Sequence, residues 1–237
     1  KTGDGQPGVS ASYLWGLPEL TPNAMQSLLV NVSELPEFRL PRIHDPRPRD
    51  LFRGPLLLVR QSPPASVGRI RVVVADEDLV FNETYYGYSA TEHPDGKMFV
   101  RYLAMLVGSK FALWHALITS GKFGFERDVI EKFIVDNIPV PPFEDLTRSD
   151  REQIDHLFEA VVKENSETQW ARVDDWVVSL YGLRRRDLQV ITDTLNFNLP
   201  FSRNRKAAQA LPTPPEVTDF CSTLSSELKP WAERAGK

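Results

Sequence analysis

"KMFVRYLAMLVGSKFALWHALIT", residues 97–119, decides the architecture. Met98, Tyr102, Met105 and Leu106 recur at helical spacing, and most positions between them are apolar too. That pattern belongs to a helix covered on nearly every side. Arg101, Lys110 and His115 interrupt the run and Gly108-Ser109 breaks it, whereas a membrane span needs about 18–20 almost uninterrupted apolar residues. Ser109 is a natural N-cap for a second helix carrying Phe111, Leu113, Trp114 and Leu117. Two buried helices meeting at a Gly-Ser corner need another layer to pack on.

The preceding residues supply one. "PLLLVRQ" (55–61), "GRIRVVVAD" (68–76) and "DLVFNETYYGY" (78–88) are β-branched or aromatic runs separated by Pro, Ser, Gly and Asp, which reads as strands. Alternation along 69–74 puts Ile70, Val72 and Val74 on one face and Arg69, Arg71 and Val73 on the other. The arginines are therefore expected on the side away from Ile70.

Outward from this core the patterns change. Residues 1–50 are rich in proline and poor in periodicity, an irregular lead whose polar, Gly-rich start reads as a linker cut from something longer. Within it, 21–32 offers a short helix capped by Thr21, with Pro22 at its first position. After the core, "SGKFGFERDVIEKFIVDNIPVPPF" (120–143) presents a glycine loop, a weak helix and a proline strap; residues before proline leave the helical region. "TRSDREQIDHLFEAVVKEN" (147–165) is an amphipathic helix with Ile154, Leu157, Phe158, Val161 and Val162 on one stripe. Further helices flank Gly182, and the tail has another, capped near Thr213. The expected fold is α+β: a small mixed or antiparallel sheet against buried helices, then a helical C-terminal segment. The expected division is a lead (1–50), an α+β core (51–146) and helical spacer and C-terminal helices (147–237).

Apolar content of 41%, charged content of 25% and a formal net charge of −4 are ordinary for a soluble protein. The charge is segregated, however: residues 37–71 hold eight arginines against three acids, and 126–175 fourteen acids against six bases. A basic face on an acidic body is suited to docking a polyanion through one surface. The single cysteine, Cys221, cannot form an internal disulfide, which points to a reducing compartment, the cytoplasm.

Catalytic patterns are missing from the sequence. His44, His93, His115 and His156 are scattered without metal spacing. There is no Walker loop and no GxGxxG, and "HPDGKMF" (93–99) lacks the acid-x-Lys that would complete a nuclease core.

In order, an Arg-rich lead, strands, the leucine-rich helix ending at Gly108-Ser109, the aromatic helix with Trp114, the loop Gly121 to Gly124, Ile138-Pro139-Val140-Pro141, an amphipathic helix and Leu180-Tyr181-Gly182-Leu183 resemble one known arrangement. It is the target-recognition domain of N6-adenine DNA methyltransferases and restriction-modification enzymes, the TaqI-like C-terminal specificity domain related to the recognition halves of type I specificity subunits. The resemblance covers roughly residues 50–197. It implies a module that reads double-stranded DNA from the major groove, beside a catalytic methyltransferase domain of the same polypeptide that uses S-adenosylmethionine. The Asn/Asp-Pro-Pro-Tyr/Phe motif of that catalytic domain is not here, since Val140 precedes Pro141-Pro142. No cofactor is therefore expected in this chain.

Lys122, Phe123 and Arg127 on the glycine loop are the first candidates for DNA contact, because cations meet phosphates or guanine edges and an aromatic ring meets the thymine methyl. Arg60 and Gln61, which end a strand before a Ser/Pro loop, follow; glutamine can read adenine. Tyr85 and Tyr86 at a strand end and Arg69 and Arg71 of the basic segment complete the set. The basic runs 184–186 and 203–206 are further phosphate candidates. A protein-docking domain of a multi-subunit restriction or defence complex is the alternative, favoured by the acidic helix at 147–165. A hydrolytic centre built on Asp76, Asp78 and Glu83 is the third.

Overall fold

The computed structural model describes residues 8–63, 68–124, 129–203 and 210–235. Its architecture is α+β: among the described residues every strand precedes residue 90 and every α-helix follows residue 95. β1 (Val9–Ser10) and β2 (Arg42–Ile43) form a short antiparallel ladder. β3 (Leu56–Arg60), β4 (Val72–Ala75) and β5 (Tyr85–Ser89) form an antiparallel sheet in the order β4-β3-β5. Leu56 of β3 lies between Ala75 and Ser89, and Arg60 lies opposite Tyr85.

All of Leu56–Val59 and Val72–Ala75 is buried, on both faces. Leu57, Val59, Val72 and Val74 pack into the helical core, whereas Leu56, Leu58, Val73 and Ala75 pack against Leu14, Leu17, Leu20, Val30, Phe38 and Phe52. The lead is thus irregular, as its composition implies, yet forms a third layer. It is tied on by backbone: the Val30 amide donates to Val74 O (2.9 Å) and the Val74 amide to Leu28 O (2.7 Å). Expected as a helix, 21–32 instead holds one 3-10 turn, Ala24–Gln26, and a second, Val32–Glu34, begins at its last residue. The Thr21 hydroxyl accepts from the Ala24 amide at 3.4 Å, and Leu28 and Val30 run extended beside β4 between the two turns.

The other face carries α1 (Gly96–Val107) and α2 (Lys110–Thr119), bent by 64° at their junction. Ser109 caps α2 by accepting from the Ala112 amide (3.3 Å), and its hydroxyl donates to Leu106 O (2.6 Å). Gly108 is required for a different reason: a Cβ there would lie 2.5 Å from the Trp170 ring. No single helix among the described residues is long and apolar enough to cross a membrane.

α3 (Lys132–Asp136) follows, then the proline strap, which the Tyr102 hydroxyl grips at Pro141 O (2.7 Å) and the Tyr181 hydroxyl at Pro139 O. α4 (Arg148–Lys163) begins with a capping box between Thr147 and Asp150, satisfying two otherwise orphaned amides. α5 (Glu167–Leu180) and α6 (Arg185–Arg203) complete the bundle around Trp170, Val173, Trp176, Val177 and Ile191. Gly182, at φ +59°, makes the turn between them, a conformation that glycine adopts without strain. α7 (Pro214–Ala235) closes the chain.

Candidate nucleic-acid interface

Three separated segments are joined at one end of the main sheet. Where β3 ends, the Arg60 amide donates to Arg71 O (2.9 Å) and the Gln61 amide to Thr84 O (3.0 Å). The Gln61 side-chain amide donates to Glu83 O. The turn into β5 is shaped by Asn82, whose Oδ1 accepts from the Thr84 amide (3.1 Å) and hydroxyl (2.6 Å), an Asx-type turn. The chain leaving the glycine loop docks on the same place: the Ile130 amide donates to Gln61 O (2.8 Å), and the Tyr86 hydroxyl to Ile130 O (3.1 Å). Lys122, exposed at the loop, pairs with Glu131 at 3.4 Å.

The residues singled out by sequence divide sharply by burial. Arg60, Gln61, Arg71 and Tyr86 are half-buried at this sheet end, and Lys122 is exposed. Arg127 lies outside the described residues, as do 64–67 of the Ser/Pro loop and 204–206 of the second basic run. Three expectations need correction.

Phe123 is fully buried rather than offered on a finger. The Ser120 hydroxyl accepts from the Lys122 (3.2 Å) and Phe123 (2.8 Å) amides, and Gly124 at φ +83° turns the chain back, so the ring plugs the helical core. Tyr85 is fully buried in the lead-side core. Burial raises its hydroxyl above the ordinary tyrosine range despite the opposing fields of Arg60 and Arg71. Arg60 lies opposite Tyr85 in the β3–β5 register. Arg69, expected on an exposed face, is 2% exposed. It lies ahead of the ladder, whose first paired residue is Val72, and turns into the helical layer.

Arg69 there organises a buried charge cluster that strand alternation does not reveal. Its guanidinium donates to Glu167 (3.0 Å), Asp174 (3.2 and 3.4 Å) and Gly108 O (3.2 Å), and stacks 4.9 Å from the Trp170 ring. Lys110 joins through its ammonium to Glu167 (2.7 Å) and its amide to Asp174 (2.8 Å). Burial pushes Glu167 up, but hydrogen bonds from Lys110 and Arg69 outweigh it and hold the carboxyl below the usual range. A sequence signal existed: Glu167, Trp170 and Asp174 fall at i, i+3 and i+7, which puts two carboxylates on the face of α5 that is otherwise apolar. Beside the cluster, a cleft of about 400 Å³ is lined by Gln26, Ser27, Arg71, Asn165, Ser166 and Glu167 among others.

The arginine-rich segment does not form one patch. Arg53 borders the Ser89 end of the sheet, accepting the Ser89 hydroxyl at its carbonyl (2.7 Å), and Arg60 and Arg71 border the opposite end. Arg39 pairs with Glu37, Arg53 with Asp50, and Arg69 with Glu167 and Asp174. Arg42, Arg47, Arg49, Arg60 and Arg71 have no carboxylate partner among the described residues. The run at 184–186 is partly neutralised, because Asp187 binds Arg184 (2.9 Å) and approaches Arg186 (3.8 Å).

Two of the three acids considered for hydrolysis are engaged structurally through their carboxylates. Asp76 pairs with Lys97 (3.1 Å) and Asp78 accepts from the Gly54 amide (3.0 Å), while Glu83 enters the turn only through its backbone carbonyl, which accepts from Gln61. No cluster of three or more His, Cys, Asp or Glu side chains suited to a metal occurs among the described residues. No protein-family model matches the chain, and no curated protein matches it in sequence.

Proposed function

We propose that the chain is a sequence-specific, double-stranded DNA recognition module of an adenine-N6 DNA methyltransferase in a restriction-modification or phage-defence system. The supporting observation is the meeting of the β3 end, the start of β5 and the glycine loop at one sheet end, where Arg60 and Arg71 lack carboxylate partners among the described residues. Arg60, Arg71 and Lys122 have the chemistry to neutralise phosphates or bond guanine O6 and N7. Gln61, one of whose side-chain N–H groups is engaged by the Glu83 carbonyl, keeps a second N–H and its Oε1, the donor and acceptor needed to read adenine. In this reading a catalytic domain of the same polypeptide supplies S-adenosylmethionine and the pocket for the flipped base.

The test is fluorescence anisotropy with randomised-sequence duplex DNA over a salt series, followed by selection of bound duplexes. Affinity should fall steeply with salt, R60A/R71A should flatten the salt slope by about two phosphate contacts, and selection should enrich a common site. Absence of salt-sensitive binding at low salt, or an R60A/R71A variant that binds unchanged, overturns the proposal. A second reading, a protein-docking module, is favoured by one observation: the arginines are spread over both ends of the sheet rather than gathered.

A further inference from the structure

α7 follows Thr213, whose amide and hydroxyl both donate to Glu216 at 2.7 Å. Every residue from 211 to 234 is exposed, so the helix buries no face against the described residues. Its apolar side chains are nevertheless ordered. Val217, Phe220, Leu224, Leu228 and Trp231 follow one another at intervals of three, four, four and three residues, with Phe220 65% and Trp231 67% exposed. At 3.6 residues per turn all five lie within about 40° of the direction of Leu224. Asp219, Ser222, Ser226, Lys229 and Glu233 occupy the opposite face. Such a stripe of large apolar side chains, polar behind, marks an interaction surface.

We propose that the stripe is covered by α7 of a second copy of this chain, laid antiparallel about a two-fold axis at Leu224. Two features of the sequence select this occupant. First, the intervals read identically in both directions, so reversing the helix sets apolar on apolar throughout: Val217 against Trp231, Phe220 against Leu228, and Leu224 against its own counterpart. A self-complementary patch is what two-fold pairing demands.

Second, two of the three charges on one flank of the stripe become complementary in this orientation, while the third, Glu227, about 60° to the same side, stands about 9 Å along the axis from its own counterpart. Glu216 and Arg234 both lie about 80° to the same side of Leu224, and a two-fold antiparallel pair brings like flanks together. Glu216 of one copy then stands within about 3 Å along the axis of Arg234 of the other, in two equivalent pairs. Parallel pairing separates them by about 27 Å along the axis. Pro230, the proline inside the helix, points about 120° away from Leu224 and leaves the contact clear. The inference is independent of DNA recognition.

Sedimentation equilibrium of the 237-residue chain should give a concentration-dependent approach to twice 26.9 kDa. L224E should leave a monomer with unchanged far-ultraviolet circular dichroism. R234E should raise the dimer dissociation constant several-fold, and E216R/R234E should bring it back below the R234E value, the helix lost with the Thr213 cap being read separately from the circular dichroism of E216R. In a C221S background, L224C should oxidise to a disulfide-linked dimer, since the two-fold brings its counterpart opposite. V217C should not, because its counterpart lies about 21 Å away along the axis. A chain that stays monomeric at all concentrations overturns the proposal and leaves the stripe to another partner. V217C cross-linking as readily as L224C overturns the antiparallel register, and charge exchange without recovery overturns the Glu216–Arg234 contact.

Discussion

Replacing Asp174 by alanine weighs the buried charge cluster directly. The Arg69 side chain is 2% exposed, whereas Asp174 is 18% and Glu167 61% exposed. Asp174 accepts from both Arg69 and the Lys110 amide, the first residue of α2. Alanine strands the guanidinium with one well-solvated carboxylate, the Gly108 carbonyl and the Trp170 ring, and orphans the Lys110 amide. Removing one partner of a buried ion pair costs about 3–5 kcal/mol, because a charge remains out of water without compensation. Glu167 stays in contact with Arg69, which places the expected loss at the lower end, about 3 kcal/mol. For a chain of this size each kcal/mol shifts Tm by about 2–4 °C, so D174A should melt about 6–12 °C lower.

The matched control is R148A. Its pair with Glu152 (2.9 Å) joins side chains 93% and 60% exposed, and its loss should change stability by less than about 0.5 kcal/mol. R69M/D174L removes both charges and should recover most of the stability lost in D174A, since the penalty lies in the stranded charge more than in the lost attraction. Thermal melts followed by circular dichroism and urea titrations at neutral pH read all three. A D174A loss no larger than that of R148A, or a double variant less stable than D174A, refutes the reasoning.

The acid limb of the stability curve should report the same cluster. Hydrogen bonds from Lys110 and Arg69 overcome the burial effect and lower the Glu167 pKa, so its contribution is present above the unfolded value of about 4.3 and is lost as pH falls through the folded value. Urea midpoints measured from neutral pH down through that range should fall less steeply for E167Q than for the parent, and equal slopes would contradict the assignment. Gly87 faces the Phe81 ring so closely that an added Cβ would lie 2.1 Å from it. G87A should therefore cost about 1–3 kcal/mol, and F81L in the same chain should restore part of that loss; a neutral G87A shows that the strand moves aside.

The helical layer was legible because its signals are local. Apolar residues on every side of 97–119, a serine at the corner and a Thr-x-x-Asp at 147–150 each fix a feature within one or two turns, and α1, α2 and α4 appear where those signals lie. Arg69 and Phe123 were misplaced because their environments come from far along the chain. The acids that draw Arg69 inward lie roughly a hundred residues downstream, and Phe123 is seated by a serine-made turn into a core built from α1 to α6. A further signal was available and was not local. Leu56–Val59 and Val72–Ala75 are apolar without alternation, and strands of that kind must be covered on both faces. The helices can cover only one. The second cover has to come from the remaining apolar residues, those scattered among the prolines of 11–52, whose irregular spacing fits turns and single bridges rather than a helix. A segment recruited to cover a sheet cannot present all its arginines on one plane. Arg53 accordingly borders one end of the sheet, Arg60 and Arg71 the other, and Arg69 the core, so that among the described arginines of 37–71 Arg60 and Arg71 are the ones at the sheet end where the chain leaving the glycine loop docks.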